Sequence, residues 1–342
     1  MSIIQNSEIT KVKKNSYIIA IIGAGQLGSR YLQGLKMSSI VKHIYVVDPN
    51  HEALVIARDR FNNILPKTSK IEISYNQRLE NVPTHIDLAI ICTNADVRIQ
   101  VIKHLLSSTT IRYLILEKVA FQTIEDCRYS VKLLKKKKIE AWVNCPRRLH
   151  PIVIKLKDTM FAYTHRFIKV KGSKWGLACN AIHMLDLFSF LFGDQDIYVD
   201  ISKLHPRIYH AKRNGFIEFG GMLTFKNSKG DLLCLNDKMK EDQKTTIDFG
   251  FDKKNLLTIN NRNMSFSQYN NNNELMANGD FTMPLQSELT GPVVEEILTT
   301  GSCGLSPLDE SMKLHIAMLK GFIDHLNIYS EMGGEQQYCP IT

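Results

Sequence analysis

The sequence predicts an α/β protein in two parts. Residues 1–146 read as a doubly wound parallel sheet, and residues 147–342 as an α+β domain with a large, mostly antiparallel sheet. Three observations carry this. Up to residue 144, short β-branched apolar runs alternate with stretches of helical period, a pattern that packs as a parallel sheet with right-handed crossovers. Beyond Pro146 the helical period fades and turn-separated strands take over. At 342 residues the chain is long for one core and comfortable for two domains.

Tyr17–Ile22 is a continuous apolar run closed by glycines, as in a strand buried on both faces. Gln26–Lys36 has helical spacing, His43–Val47 is a strand, Glu52–Phe61 a helix and Lys70–Tyr75 a weaker strand. Asp87–Cys92 (DLAIIC) is a strong buried strand, followed by a helix over Asp96–Leu106, a strand at Arg112–Leu116, a helix at Ile124–Lys136 and a closing strand at Ile139–Asn144. In the second part, Phe167–Lys171 is a strand and Ala178–Leu191 an amphipathic helix. Ile197–Leu204, Phe216–Phe225, Asp231–Leu235, Thr245–Phe249 and Leu256–Ile259 then read as strands, with turn signals such as NSKG between them. Asn270–Asn273 is a polar loop. Helices over Leu285–Thr300 and Pro307–Leu326 finish the chain, the second behind a serine suited to N-capping.

The composition, 44% hydrophobic and 23% charged, is that of a soluble globular protein. No apolar run approaches the roughly 20 residues a membrane span needs. The start, MSIIQNSEITKVKKNSY, lacks a signal peptide's order of segments, so a cytoplasmic location is expected. Seven scattered cysteines without a CxxC pair argue against a disulfide framework and a zinc knuckle, and no metal is expected. Part of the net charge of +9 is one run, Lys135–Lys138, at a predicted helix C-terminus, where cations meet the negative end of the dipole. Basic residues interleaved with exposed aromatics are absent, so nucleic acid is not an expected partner; an anionic small substrate stays open.

The stretch IIAIIGAGQLGSR (18–30) sets Gly23, Gly25 and Gly28 at G-x-G-x-x-G spacing, directly after a buried strand and opening a helix. In that context Gly23 permits the tight turn, Gly25 admits a pyrophosphate to the backbone, and Gly28 lets helix pack on strand. Gln26 and Leu27 open the helix, at whose N-terminus an anion is favoured. Asp48 ends the second strand, where a carboxylate accepts bonds from both ribose hydroxyls and repels a 2′-phosphate. NAD is the preferred cofactor, with NADP possible; Arg58 and Arg60 read as surface charges. S-adenosylmethionine methyltransferases share this topology and the acidic residue, so later residues must decide.

Two further stretches do so. Thr93 and Asn94 (in ICTNADVR), and Glu117 and Lys118 (in LEKVAF), follow strands at the end of the sheet that lines a ligand crevice. A lysine there can hold a substrate hydroxyl and stabilise the alkoxide or carbonyl it becomes; the plain alternative is an exposed loop lysine. In WGLACNAIHMLDLFSFLFG (175–193), Asn180, His183 and Asp186 are spaced by three on one helix and share a face. A histidine so placed can take a proton near neutral pH, or can simply be satisfied within the core.

Together these stretches resemble the glucose–fructose oxidoreductase, inositol dehydrogenase and rhizopine-catabolism oxidoreductase family (Gfo/Idh/MocA). The resemblance rests on the glycine fingerprint, Cys92-Thr93-Asn94, Glu117-Lys118-Val119, Arg148-Leu149-His150-Pro151 and the run Cys179 to Asp186. It departs from the family at Val119, where the family has a proline, and at Cys179, where it has an aspartate. The resemblance implies an N-terminal Rossmann domain and hydride transfer between a nicotinamide and a secondary alcohol of a sugar, polyol or derivative; the positive charge and the departures point to an acidic or acylated sugar, such as a surface-glycan precursor or sugar nucleotide. The resemblance also implies Lys118 and His183 as catalytic residues, with Asp186 an orienter or structural partner. Arg148, Trp175, Asn180, Asp186 and Gln286 are candidate substrate contacts, and QSELTG (286–291) could bring polar groups over the crevice. A homodimer or homotetramer is expected by resemblance, through the open faces of the second-domain sheets. A catalytically silent dinucleotide-binding regulator of the same fold is the rival; the Glu-Lys motif and the antiparallel second domain disfavour a methyltransferase.

Overall fold

The computed structural model describes residues 16–65, 70–193, 196–239, 243–261, 263–270, 272–329 and 335–342. The segment before Ser16, and Asn271 of the polar loop, lie outside the described residues.

The first sheet is built from β1 (Tyr17–Ile22), β2 (Val41–Val47), β3 (Glu72–Asn76), β4 (His85–Ile91), β5 (Thr110–Leu116) and β6 (Glu140–Val143). Helices α1 (Gln26–Gly34), α2 (His51–Asn62), α3 (Ala95–Ser108) and α4 (Ile124–Lys136) connect them. The strands run in parallel in the spatial order 6-5-4-1-2-3. Successive residues of one strand serve opposite faces: Ile19 and Ile21 join the core under α1 and α2, while Ala20 and Ile22 join the other. That is why these strands read as unbroken apolar runs rather than alternating ones.

After α5 (Pro151–Phe161), the second sheet begins with β7 (Arg166–Gly172) and continues, beyond helix α6 (Leu177–Phe192), through β8 (Ile197–Leu204). A small hairpin of β9 (Tyr209–His210) and β10 (Ile217–Glu218) precedes β11 (Gly221–Asn227), β12 (Leu232–Asp237), β13 (Thr246–Phe251), β14 (Lys254–Asn260), β15 (Ser265–Tyr269) and β16 (Leu275–Asp280). Its order is 16-15-14-13-7-12-11-8, and only the β7–β12 pair is parallel. The single strand expected over Phe216–Phe225 is two, because the chain turns at Gly220–Gly221, where Gly221 has φ +91°. Helix α5, not expected from the sequence, starts on Pro151, whose ring presets the helical φ and whose missing N–H costs nothing at that position.

Helix α6 is buried on most of its circumference instead of being amphipathic, because α5, α8 and the second sheet pack around it. Its residues Ala181, Ile182 and Leu185 belong to one continuous core with Leu116 and Val119 of the first domain and Phe225 and Phe249 of the second sheet. The chain ends with α7 (Gln286–Thr300), β17 (Ser306–Pro307) and α8 (Leu308–Tyr329). These return to the first domain: α7 packs on α1, β17 adds an antiparallel strand to β6, and α8 lies on α4. Among the described residues no helix is long and apolar enough to cross a membrane.

One face of the second sheet packs on the core; the other is mixed, with Tyr198 and Leu232 exposed on it beside a polar row. Across it run Lys169, Asp248, Thr258, Ser267 and Asn278 on neighbouring strands, with Lys171 3.6 Å from Asp248.

Candidate active site

At the carboxyl ends of the first sheet, a cleft of about 610 Å³ is lined by Gly23, Gly25, Asp48, Thr93 and Asn94, among others. Gly28 is required here, since a Cβ on it would lie 1.8 Å from the Gly23 carbonyl oxygen. Gly25 has no atom within 4 Å of where its Cβ would stand, and Gly25, Gln26 and Leu27 are exposed, so the α1 N-terminus opens on the cleft. Asp48 braces the turn: Oδ2 accepts the Ala24 N–H at 2.7 Å and Oδ1 the Asn50 N–H at 2.8 Å. A carboxylate has about four acceptor positions, so ribose hydroxyls still find room. The Thr93 hydroxyl is enclosed without a hydrogen-bond partner among the described residues, an orphan that suits a ligand in the cleft. These residues fit an NAD molecule. Arg78 and Glu80 also line the cleft, 3.4 Å apart, neither of them singled out by the sequence.

Buried Arg98 ties the two catalytic-end loops together. Its guanidinium donates to the carbonyls of Thr93, Val119 and Ala120. His315 of α8 adds to this, its Nε2 accepting the Ala120 N–H at 3.0 Å while Nδ1 meets the Ser311 carbonyl at 2.8 Å. Burial pushes its pKa down to about 4, so it stays neutral. The Lys118–Val119 peptide is cis, with valine where the family resemblance has proline.

From this loop Lys118 reaches α6, its Nζ donating to the Cys179 carbonyl at 3.0 Å. His183 lies close by. Its Nδ1 is enclosed and has no hydrogen-bond partner among the described residues. Burial, and then the charges of Lys118 and Arg147, hold its pKa well below the ordinary histidine value. The sequence points to a pKa near neutral; the surroundings of the ring lower it and favour its neutral form.

A second pocket, of about 480 Å³, adjoins the first turn of α6. Trp175, Cys179 and Asn180 line it, as do Glu218 and Asp237, with Lys174, His210, Lys212 and Arg213 around them. Trp175 Nε1 donates to the Asn236 carbonyl at 3.0 Å; the Asn180 amide nitrogen donates to the carbonyls of Trp175 and Gly176, leaving its oxygen for a ligand. The pocket touches the cofactor cleft through Arg213, which donates to Asn94 Oδ1 at 2.7 Å. Residues 338–342 cross between the two: Cys339 N–H donates to the Gln122 carbonyl, Ile217 N–H to the Pro340 carbonyl, and Ala95 N–H to the Thr342 hydroxyl.

Four candidates from the sequence lie elsewhere. Arg148 is buried and grips Asp186 with two bonds, Nε to Oδ2 at 3.0 Å and Nη2 to Oδ1 at 2.7 Å, so these two are a structural ion pair and not substrate contacts. Burial pushes the Asp186 carboxyl up against the pull of Arg148. Gln286 lines neither the cleft nor the α6 pocket: its Oε1 accepts from Asn144, and the apolar side of α7 (Val294, Ile297) packs on α1. Glu117 is buried in the same network, accepting from Tyr31 at 2.6 Å and Asn144 at 2.7 Å, so its carboxylate meets protein groups. Arg147, Arg213 and Glu218 were not legible as site residues, since each is brought in by tertiary folding without a motif of its own.

No curated protein matches the chain. Among solved structures, a UDP-N-acetylglucosamine 3-dehydrogenase (GnnA) from Acidithiobacillus ferrooxidans superposes with TM-score 0.67 at 13% identity, covering 90% of this chain and 96% of its own. GenD2 from gentamicin A biosynthesis, in complex with NAD, gives 0.66 at 11% identity, with 94% and 96% covered. A scyllo-inositol dehydrogenase from Lactobacillus casei, with NAD(H) and scyllo-inositol bound, gives 0.63 at 14%, with 89% and 95% covered. At such identities the likeness is one of fold. Residues 18–145 match the model of the Gfo/Idh/MocA oxidoreductase family, its NAD-binding Rossmann fold, so the first sheet and its helices are similar to that family's nucleotide-binding domain.

Proposed function

We propose that the protein is an NAD-dependent dehydrogenase that interconverts a secondary alcohol and a ketone on a sugar, polyol or sugar derivative. The observation that carries this is Lys118 Nζ on the carbonyl of Cys179, a residue of the α6 pocket, with the Lys118 charge acting on His183, whose Nδ1 is enclosed and unpartnered among the described residues. NAD bound in the cleft supplies the hydride acceptor. Lys118, anchored by the Cys179 carbonyl, holds the reacting oxygen and stabilises the negative charge it gains. Neutral His183 receives the hydroxyl proton. The cations Lys174, Lys212 and Arg213 on the pocket wall favour a substrate with an anionic arm, such as a surface-glycan precursor.

Lys118→Ala and His183→Ala are each expected to lower kcat by at least about 100-fold while NADH affinity stays within a few-fold, because a positioned proton acceptor contributes on the order of 10²–10⁴ to rate. Oxidation should rise with pH through a midpoint below that of an ordinary histidine, since only neutral His183 can accept the proton. NADH formation with scyllo-inositol, UDP-N-acetylglucosamine and glucuronate as substrates reads both effects. NADH binding without turnover of any of them, and unchanged biological activity in both variants, would favour the silent regulator.

A further inference from the structure

Two carboxylates line the pocket beside the first turn of α6, and they differ in what remains for a ligand. Asp237 is fully buried and accepts the N–H groups of Lys174 at 2.5 Å and Gly176 at 3.2 Å, with those of Trp175 and Leu177 also turned on it. It braces the loop that leads into α6. Glu218, on β10, is only half-buried. Its Oε2 accepts the Ala178 N–H at 2.7 Å, but Oε1 meets the Cys179 N–H at 3.4 Å, too long for a strong bond. Oε1 therefore keeps acceptor capacity on the pocket wall.

Cys179 connects this oxygen to the reaction. Its N–H bonds Oε1 weakly, its side chain also hydrogen-bonds the Glu218 carboxylate, and its carbonyl holds Lys118, so this acceptor meets the residue that anchors the lysine. We propose that Glu218 is a substrate-binding residue whose Oε1 accepts a hydrogen bond from a ring hydroxyl next to the one that Lys118 holds. The pocket then selects a ring with a free hydroxyl beside the reacting one, and the negative charge of Glu218 turns any anionic arm toward Lys212 and Arg213. This rests on the dehydrogenase reading.

Glu218→Gln tests it in the full chain. Glutamine still offers an oxygen to the Ala178 N–H, so the melting temperature and NADH affinity should change little. The probe is scyllo-inositol, which carries a hydroxyl on every ring carbon, and its binding to the NADH complex is measured directly, apart from turnover. A hydrogen bond to a charged group is worth enough that the variant should bind about tenfold more weakly or worse. Wild-type affinity should also fall as the pH drops through the titration of Glu218, while that of the variant should not. Glu218 is faced by Cys179 of α6 and Asp237 of β12, with Lys174, His210, Lys212 and Arg213 around the pocket. All six are present in both proteins, so their titrations cancel in the comparison. Equal affinity in the two proteins, including no binding in either, overturns the proposal. A parallel loss of melting temperature and NADH affinity overturns it too, because Glu218 would then only cap α6. If scyllo-inositol binds with the expected difference but neither it nor the other substrates are turned over, the dehydrogenase reading fails while the hydroxyl contact stands.

Discussion

Arg147 and Arg148 are neighbours in one short helical turn, Pro146–Leu149, and act on different surroundings. Arg148 points into the core, where it pairs with Asp186, donates to the Ser306 hydroxyl and lies 5.0 Å from the Phe190 ring centre. Arg147 lies on the side of His183 and His150 and lowers both of their pKa values, after burial itself. Which of two adjacent arginines faces the chemistry depends on the rotation of a single residue, which no motif specifies. Removing Arg148 strands a buried carboxylate, so Arg148→Ala should destabilise the protein by about 3–5 kcal/mol, read by denaturant unfolding. Arg148→Met combined with Asp186→Leu should recover most of that loss. A stable Arg148→Ala protein with a raised KM would return this arginine to the substrate side.

At the scale of elements, the hairpin between β11 and β12 depends on Asp231. Its carboxylate accepts from Arg166 Nη2 at 2.6 Å, from Arg166 N–H at 2.9 Å and from Asn227 Nδ2 at 2.9 Å, and so fastens the turn to β7. Although burial opposes it, these donors hold the Asp231 pKa below its ordinary value. A carboxyl depressed in the folded state stabilises fully above its unfolded pKa of about 3.9 and loses that contribution as the pH falls through the folded value. Asp231→Asn should therefore lower the melting temperature at pH 7, and the gap from wild type should narrow below about pH 4. A gap independent of pH would mean that shape, not charge, holds the turn. Elements whose own residues carry the signal were legible: β1, β8 and α4 have the bounds that periodicity and glycines set, and the glycine turn and Lys118 lie at the ends of such strands. The break between β10 and β11, and with it the position of Glu218, was not, because strand-forming residues stand on both sides of Gly220–Gly221 and the turn there goes with the docking of β10 on the C-terminal segment.

For the whole molecule, the open face of the second sheet sets a row of lysines, aspartate, threonine, serine and asparagine beside exposed Tyr198 and Leu232, more polar than the apolar surface an obligate dimer buries. Pairing through this face, expected by resemblance, would be partly electrostatic. Light scattering behind size exclusion should then show the mass falling toward one chain as salt rises from 0.1 to 0.5 M, about where the Debye length drops below the width of such contacts. A mass that ignores salt would instead place the contact on exposed apolar residues such as Leu275 and Met276 of the edge strand β16.

The return of α7 and β17 to the first sheet bears on how such proteins could be recombined. A chimera joined at residue 146, the natural seam in the covalent order, would leave Tyr31, Leu32 and Leu35 of the donor's first domain covered by a foreign α7, and β6 bordered by a foreign β17. Exchange of the second sheet should need two junctions instead of one, with the second before Gln286, so that α7 and β17 stay with the first sheet, and α8 must then be matched to α6 and β8 of the graft. The segment that carries the second sheet is thus internal, lying between two stretches that both build the first sheet.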